Sequence, residues 1–184
     1  MIIKNNILSK YVFGKLYSEI VNARIPWYHV NTTYSNNASS FKYDYSWEHI
    51  VFSANSKASP LFDLIDVAIL SALDNAGQSI SEMYRIRIGL ITATGVPYEH
   101  EPHIDLNEEH KTGLLYITNS DGPTTIYNEI YQPVSGLNGL DYYNNILSKA
   151  VTVNKKLCRR QINLYALTEE HITLVLHQQI LLEE

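Results

Sequence analysis

The sequence predicts an α+β domain in which N-terminal helices pack on an antiparallel β-sandwich or barrel. Two observations carry this prediction. Before Tyr84 the apolar residues recur at helical spacing, and from Tyr84 onward they alternate with polar residues between clusters of turn residues. Helices first and strands afterwards are typical of α+β domains. The 184 residues contain no internal repeat or low-complexity linker, so we expect one domain over residues 1–184.

Composition narrows the classes of function. Hydrophobic residues make up 45% and charged residues 18% of the chain, which is ordinary for a globular protein. The net charge of −5 argues against a nucleic-acid partner. The single Cys158 excludes an internal disulfide and fits a reducing compartment. No stretch reaches membrane-spanning length and no signal-peptide core is present, so we expect a soluble cytoplasmic protein with no membrane partner.

The first helix is predicted over residues 7–21, although Gly14 weakens it. The Ile25-Pro26 pair ends the helical stretch and favours an extended segment there. Seven apolar side chains lie near helical spacing in this helix: Ile7, Leu8, Tyr11, Val12, Leu16, Ile20 and Val21.

The second helix has clear punctuation at both ends. Ser59 is predicted as its N-cap and Pro60 as its first helical residue. Apolar positions continue through Leu73, and Gly77 is predicted to stop the helix.

The clearest strand spans residues 84–92, where apolar and basic side chains alternate. One face takes Ile86, Ile88 and Leu90, and the other takes Arg85 and Arg87. Residues 114–118 and 124–127 are predicted as the next two strands. The turn residues at 119–123 predict a hairpin between them.

The C-terminal segment permits two interpretations. Residues 168–184 have a plausible N-cap at Thr168 and acidic residues in the first turn, which favours a helix. The run 172–176 is equally compatible with a strand, and periodicity does not decide between them.

Histidines and carboxylates are crowded between residues 98 and 125. His103 and Asp105 are two positions apart, so on an extended backbone both side chains point to one side and can meet one ion. Two histidines and one carboxylate leave the other face of a metal open, as in non-haem Fe(II) oxygenases, and a third ligand would come from a distant part of the chain. Zinc is an alternative that no close donor set completes. A further alternative is a solvated loop without a metal, in which His100, His103 and His110 face water.

Further motifs surround this pair in a fixed order. They are Ile25-Pro-Trp27 after a helix, Tyr98…His103-Ile-Asp105, His110-Lys-Thr-Gly-Leu-Leu-Tyr116, and Asn119-Ser-Asp-Gly-Pro-Thr-Thr-Ile-Tyr-Asn-Glu129. This order resembles the Fe(II)- and 2-oxoglutarate-dependent oxygenases, in the prolyl-4-hydroxylase-like branch often met in phages and marine microbes. The resemblance covers residues 1 to about 155 and is most specific at 84–129.

The resemblance implies a fold, a site and an activity. The fold is an antiparallel double-stranded β-helix (jelly-roll or cupin-like) with N-terminal helices packed on it. Fe(II) is bound by His103 and Asp105, and 2-oxoglutarate lies near Tyr116, for which the alternative is an ordinary sheet aromatic. Ascorbate is a further cofactor of this class. The enzyme is a dioxygenase that uses dioxygen to hydroxylate a C–H bond in an organic or peptide substrate, in the host cytoplasm if a phage encodes it.

The resemblance breaks off at residues 157–184. The family continues with Asn-Lys-Leu-Val-x-Phe-Asp-Gly-x-x-x-His-Ser-Ser-x-x-Pro and then an Arg. That His is the third iron ligand, and an Arg or Lys binds the distal carboxylate of 2-oxoglutarate. Here no Asp-Gly precedes His171 or His177, the two candidates for the third ligand. We therefore expect the β-domain to be incomplete at its C-terminal end.

The genetic code offers an explanation for this break. In a shifted reading frame, each new codon from Gln161 onward consists of the third base of one present codon and the first two bases of the next. The tail can then encode Asn-Lys-Leu-Val-Cys-Phe-Asp-Gly-Gly-Thr-Tyr-His-Ser-Ser-Ser-Ser-Pro-Thr. This is the missing family segment in its expected place. We therefore hypothesise a frameshift between Lys155 and Gln161, either natural or introduced in sequencing.

Three functions are compatible with the sequence. The first is an active oxygenase of this class. The second is a catalytically impaired remnant or binding module on the same fold, lacking the third ligand and the carboxylate anchor. The third is an unrelated β-sandwich structural protein whose polar loop mimics the His103-Ile-Asp105 motif. The sequence does not name the substrate, because substrates are read by loops whose course it does not fix.

Overall fold

A computed structural model describes residues 2–22, 24–31, 45–92, 110–119, 124–127, 153–157 and 171–179. These residues form two helices, a six-stranded antiparallel sheet and a two-stranded antiparallel sheet, which confirms the predicted mixture of helices and antiparallel strands. No helix among them is long and apolar enough to cross a bilayer.

Helix α1 spans Lys10–Tyr17 and continues into a π-helical turn, Ser18–Asn22. It begins three residues later than predicted because Ser9 caps it: the Ser9 hydroxyl accepts the N–H of Val12 at 3.3 Å. Leu16 and Ile20 lie on its inner side and are buried.

Helix α2 spans Phe62–Ala76, and Gly77 ends it with a left-handed backbone (φ 66°, ψ 36°), as predicted. The predicted N-cap at Ser59 is wrong, because the capping position is Leu61. The cause is a tight turn ahead of the helix. The Ser59 carbonyl accepts the N–H of Phe62 at 3.1 Å and its hydroxyl accepts the N–H of Leu61 at 3.2 Å, so Pro60 lies in the turn.

The six-stranded sheet has the order β1-β2-β4-β8-β5, with the short β3 paired to β2, and β6 pairs with β7 in the second sheet. All neighbouring strands are antiparallel. The strands are β1 Tyr28–Asn31, β2 Tyr45–Ser53, β3 Ser56–Lys57, β4 Glu82–Ile91, β5 Lys111–Tyr116, β6 Thr124–Tyr127, β7 Val153–Leu157 and β8 His171–Gln179.

Three predicted strands are confirmed, and the connection between two of them is wrong. Strands β4, β5 and β6 occur at the predicted places. The predicted β5–β6 hairpin does not form, because β5 pairs with β8 and β6 pairs with β7. The residues 119–123 therefore separate strands of different sheets. In the C-terminal segment, His171–Gln179 form strand β8. The strand interpretation is therefore correct there and the helix interpretation is wrong.

The hydrophobic core lies between the helices and one face of the large sheet. The predicted alternation in β4 is confirmed, since Ile86, Ile88 and Leu90 are buried on one face. The helices cover that face with apolar residues that are also buried: Leu16 and Ile20 from the first helical segment, and Ile65, Ala68 and Ile69 from α2.

One buried polar network fixes α2 to this sheet. His49 of β2 is 4% exposed, and its Nδ1 donates to the carbonyl oxygen of Pro26 at 2.9 Å, since a carbonyl only accepts. In the neutral ring Nε2 then accepts the Ser59 hydroxyl proton at 2.8 Å. The network joins the segment before β1, the centre of β2 and the turn that begins α2.

We expect Ser59→Ala to lower the free energy of unfolding by about 1–3 kcal/mol, because the buried Nε2 of His49 loses its donor. Urea unfolding followed by circular dichroism measures this loss. Ser56→Ala is the matched control, since Ser56 is exposed on β3 and its loss is expected to stay within about 0.5 kcal/mol. Equal effects from the two variants would contradict a structural role for the His49–Ser59 bond.

Candidate functional site

Tyr116 connects the two sheets of the described structure. It is half-buried and is the last residue of β5, in the large sheet. Its hydroxyl donates to Oγ1 of Thr124 at 2.6 Å, and Thr124 begins β6 in the second sheet. The side chain predicted to lie near a co-substrate therefore lies where the chain passes from one sheet to the other.

The face of the large sheet opposite the helices carries charge. Arg85 and Arg87 alternate with the buried isoleucines of β4, so they lie on this polar face. Nη1 of Arg87 lies 3.6 Å from Oε2 of Glu48, and the two side chains are only 17% and 27% exposed. This separation exceeds the roughly 2.7–2.9 Å of a close charge-assisted hydrogen bond. The pair is therefore a loose ion pair in a partly desolvated place.

A row of paired residues crosses four strands on the polar face. Glu48 pairs with Gly89, Gly89 with Thr173, and Thr173 with Tyr116. Gly89 contributes no side chain between Arg87 and Ile91, so the sheet surface is low at this point. Gly89 and Tyr116 are two strand spacings apart, which is roughly 10 Å. By this register Glu48, Arg87 and Tyr116 lie on one face of the sheet, with Gly89 between them.

His103 and Asp105, the predicted metal ligands, fall within 93–109 and lie outside the described residues. Their assignment stays a prediction. Strand β8 pairs with residues on both sides of this gap. Ile91, before the gap, pairs with His171 at one end of β8, and Lys111, after the gap, pairs with Gln178 near the other end of β8.

The two candidates for a third ligand, His171 and His177, both belong to β8. His171 is the Cα partner of Ile91, whereas His177 is the partner of Arg85 and of Thr112. Six residues of strand separate them, which is roughly 20 Å. One metal ion can therefore be bound by at most one of these two histidines.

The residues that pattern reasoning missed are Glu48 and Gly89. Glu48 belongs to β2, for which no strand was predicted, and its contact with Arg87 depends on the β2–β4 register. Gly89 stood within a predicted strand without a role. Glycine in a strand interior often marks a place where a ligand or another backbone approaches closely. This feature of the sequence could have identified Gly89.

Within the described ranges, which omit 93–109, no group of three or more histidine, cysteine, aspartate or glutamate side chains is placed to hold a metal. No protein-family model, curated protein or solved structure matches this chain. The site is therefore interpreted from its own residues.

Tyr116→Phe is expected to lower the free energy of unfolding by about 0.5–1.5 kcal/mol, because it removes the bond to Thr124. Thr124→Val should cost a similar amount, and the double variant should cost less than the sum of the two. Denaturant unfolding of all three proteins gives the coupling energy. Tyr11→Phe, at an exposed position, is the control, and full additivity would contradict the connection between the sheets.

Proposed function

We propose that this chain is an Fe(II)- and 2-oxoglutarate-dependent dioxygenase that hydroxylates a C–H bond of an organic or peptide substrate. The observation that carries the proposal is the place of Tyr116. It follows the His103-Ile-Asp105 motif by eleven positions (105 to 116), and its half-buried side chain lies on the same sheet face as Arg87 and Glu48. The motif supplies imidazole and carboxylate ligands, which suit Fe(II).

The finer fold that we propose for the strands is a double-stranded β-helix, or jelly roll. In such a fold two antiparallel sheets share a chain that passes back and forth between them. Two features support it: β4, β8 and β5 are neighbours in one sheet while β6 and β7 pair in another, and the chain changes sheet between Tyr116 and Thr124. The N-terminal helices cover the outer face, which leaves the polar face toward the proposed site.

The roles of the residues follow from their chemistry. His103 and Asp105 would hold Fe(II). When bound, the metal with 2-oxoglutarate and dioxygen supplies the oxidising power that converts R–H to R–OH, with succinate and carbon dioxide as co-products. Tyr116 would orient the 2-oxo acid by turning its hydroxyl proton from Thr124 to an oxygen of the acid, since carboxylate and oxo oxygens only accept hydrogen bonds. The cations Arg85 and Arg87 would favour a dicarboxylate over this face.

The third metal ligand has two candidates in the reading frame as it stands. Asp105 is six residues before Lys111 and thirteen after Thr92 (111 − 105 and 105 − 92), so the shorter chain segment leads to the Lys111 end of the sheet. Lys111 pairs with Gln178, next to His177. We therefore propose His177 rather than His171 as the third ligand of this chain.

The alternative function is a catalytically impaired remnant or binding module on the same fold. A specific observation favours it: no segment with Asp-Gly, a following His and a later Arg occurs after Lys156. Loss of a third ligand weakens metal binding, whereas the apolar core beneath the helices does not depend on it. The compartment and the substrate remain predictions under both alternatives.

Anaerobic titration with Fe(II), followed by measurement of succinate formed from 2-oxoglutarate in air, tests the proposed activity. We expect iron-dependent succinate release that is abolished by His103→Ala and by Asp105→Ala, because each removes a metal ligand. His100→Ala is the matched control and should retain binding. His100 is three residues before His103, so on an extended backbone its side chain points to the opposite side.

Two further variants separate the candidates for the third ligand. We expect His177→Ala to lower Fe(II) affinity and His171→Ala to leave it unchanged. Unaltered iron binding in Asp105→Ala would refute the proposed site. A parent protein that binds no Fe(II) would leave the remnant as the function of this chain.

The hypothesis of a frameshift predicts the mass of the natural protein. Sequencing the locus and measuring the C-terminal peptide should reveal the reading with Asp-Gly-Gly-Thr-Tyr-His in place of residues 168–173. We expect the protein expressed in that frame to bind Fe(II) at least tenfold more tightly, because its histidine stands where the family motif has the third ligand, whereas His177 does not; metal sites typically lose about 10–100-fold even when a supporting partner is removed. An intact single frame with the present C-terminal peptide would refute the hypothesis.

A further inference from the structure

The outward side of α2 carries a stripe of four exposed residues. Asp63, Val67, Leu70 and Asp74 follow one another at intervals of four, three and four residues, which is the spacing of a coiled-coil seam. Val67 is 59% exposed and Leu70 is 47% exposed, whereas the opposite side of the helix is buried in the core. Isolated exposed apolar residues are common, but here two adjoin on one stripe with an acidic residue at each end.

The outward side of α1 has complementary features. Tyr11 is 74% exposed, and the neighbouring Lys10 and Lys15 are exposed cations. Gly14 lies between them, and a Cβ built on it meets none of the described residues within 4 Å. Glycine within a helix is destabilising relative to alanine. The described residues therefore give no packing reason for Gly14, whereas close approach by another helix does.

We propose that a second copy of this chain docks here, with α1 of one protomer lying against α2 of its partner. Leu70 would enter the notch at Gly14, and Val67 would pack on Tyr11. Val67 and Leu70 are three residues apart on α2, as Tyr11 and Gly14 are on α1, which is about 4.5 Å along each helix. The matching separations let the two contacts form together. Lys15 would lie beside Asp74, which has no ion pair among the described residues.

Charge disfavours the simpler pairing of α2 with itself, most clearly at Asp74, because Asp63 is already ion-paired with Lys57. An antiparallel α2–α2 pair places Asp63 opposite Asp74, and a parallel pair places each aspartate opposite its own copy, so like charges meet in both cases. The α1–α2 pairing instead joins a basic helix to an acidic one. Because α1 and α2 are neighbours in one layer, a twofold axis generates the contact twice.

The area indicates a weak dimer. Stable interfaces bury about 800 Å² per partner and involve about 20–30 residues a side, whereas this surface has three exposed apolar side chains among the described residues: Tyr11, Val67 and Leu70. Electrostatic complementarity between the two helices therefore matters for recognition and should make the dimer sensitive to salt. The docking surface is separate from the proposed iron site, so it is tested without reference to activity.

Sedimentation velocity of the full chain over a range of concentrations tests this docking surface. We expect a monomer–dimer equilibrium that weakens as salt is added. Leu70→Glu should give a monomer with an unchanged circular dichroism spectrum, because residue 70 is exposed in the protomer. Tyr28→Ser, at a 62% exposed site on β1, is the control and should leave the equilibrium unchanged.

Gly14→Ala separates docking from protomer stability. It should raise the melting temperature at dilution by about 2–4 °C, through the gain in helix propensity, yet weaken the dimer. Lys15→Glu and Asp74→Lys should each weaken the dimer by about two- to fivefold, and the double variant should recover the affinity. A monomer at every concentration, or an undiminished dimer in Gly14→Ala or in either single charge variant, would overturn the proposal.

Discussion

The structure depends on the two chemically opposite faces of β4. This strand has β2 on one side and β8 on the other, so its backbone groups are paired on both edges. Its apolar face holds three residues that only helices and core can cover, and removing those side chains from water is the main stabilising term available to the domain. Its other face presents two arginines. The strand that holds the helices against the sheet is thus the strand that makes the opposite face polar.

The network around His49 shows how a polar group is kept within the apolar layer. A histidine ring in the core needs a partner for each nitrogen, and Pro26 and Ser59 provide one each. Because the two partners belong to different segments, satisfying one ring fixes the relative positions of three elements. Ser59 appeared from sequence to be a helix cap. That prediction is wrong, because its hydroxyl instead bonds to the turn and to the histidine.

Elements that have a regular local sequence pattern were predictable. Features that depend on which strands pair with each other were not. The alternation in β4 and the Gly77 stop are local and were found. Strand β2 was missed because a bulge between Ile50 and Phe52 breaks its two-residue period. Its turn to β3 uses Ala54 and Asn55, both at positive φ, and alanine gives no turn signal there. The turn residues at 119–123 lie between β5 and β6, but sequence does not say which sheet receives the next strand. For the site, the strand position of Tyr116 could be predicted and the motif around His103 stays a prediction, whereas the row from Glu48 to Tyr116 depends on the register of four strands.

The C-terminal segment shows that sheet and iron site make competing demands on one stretch of chain. In the present frame, β8 is a central strand that pairs on both edges, and its residues 171–179 contain no proline. In the shifted frame the same stretch reads threonine, tyrosine, histidine, four serines, proline and threonine. A proline there cannot donate to a neighbouring strand, and serine adds little apolar burial, so this peptide is a poor central strand. It does, however, carry the histidine that a three-ligand iron site needs. The frame in use therefore decides whether the candidate third ligand is His177, on a strand that completes the sheet between β4 and β5, or a histidine in a serine-rich segment. In the second case a later segment must fill the gap between those strands.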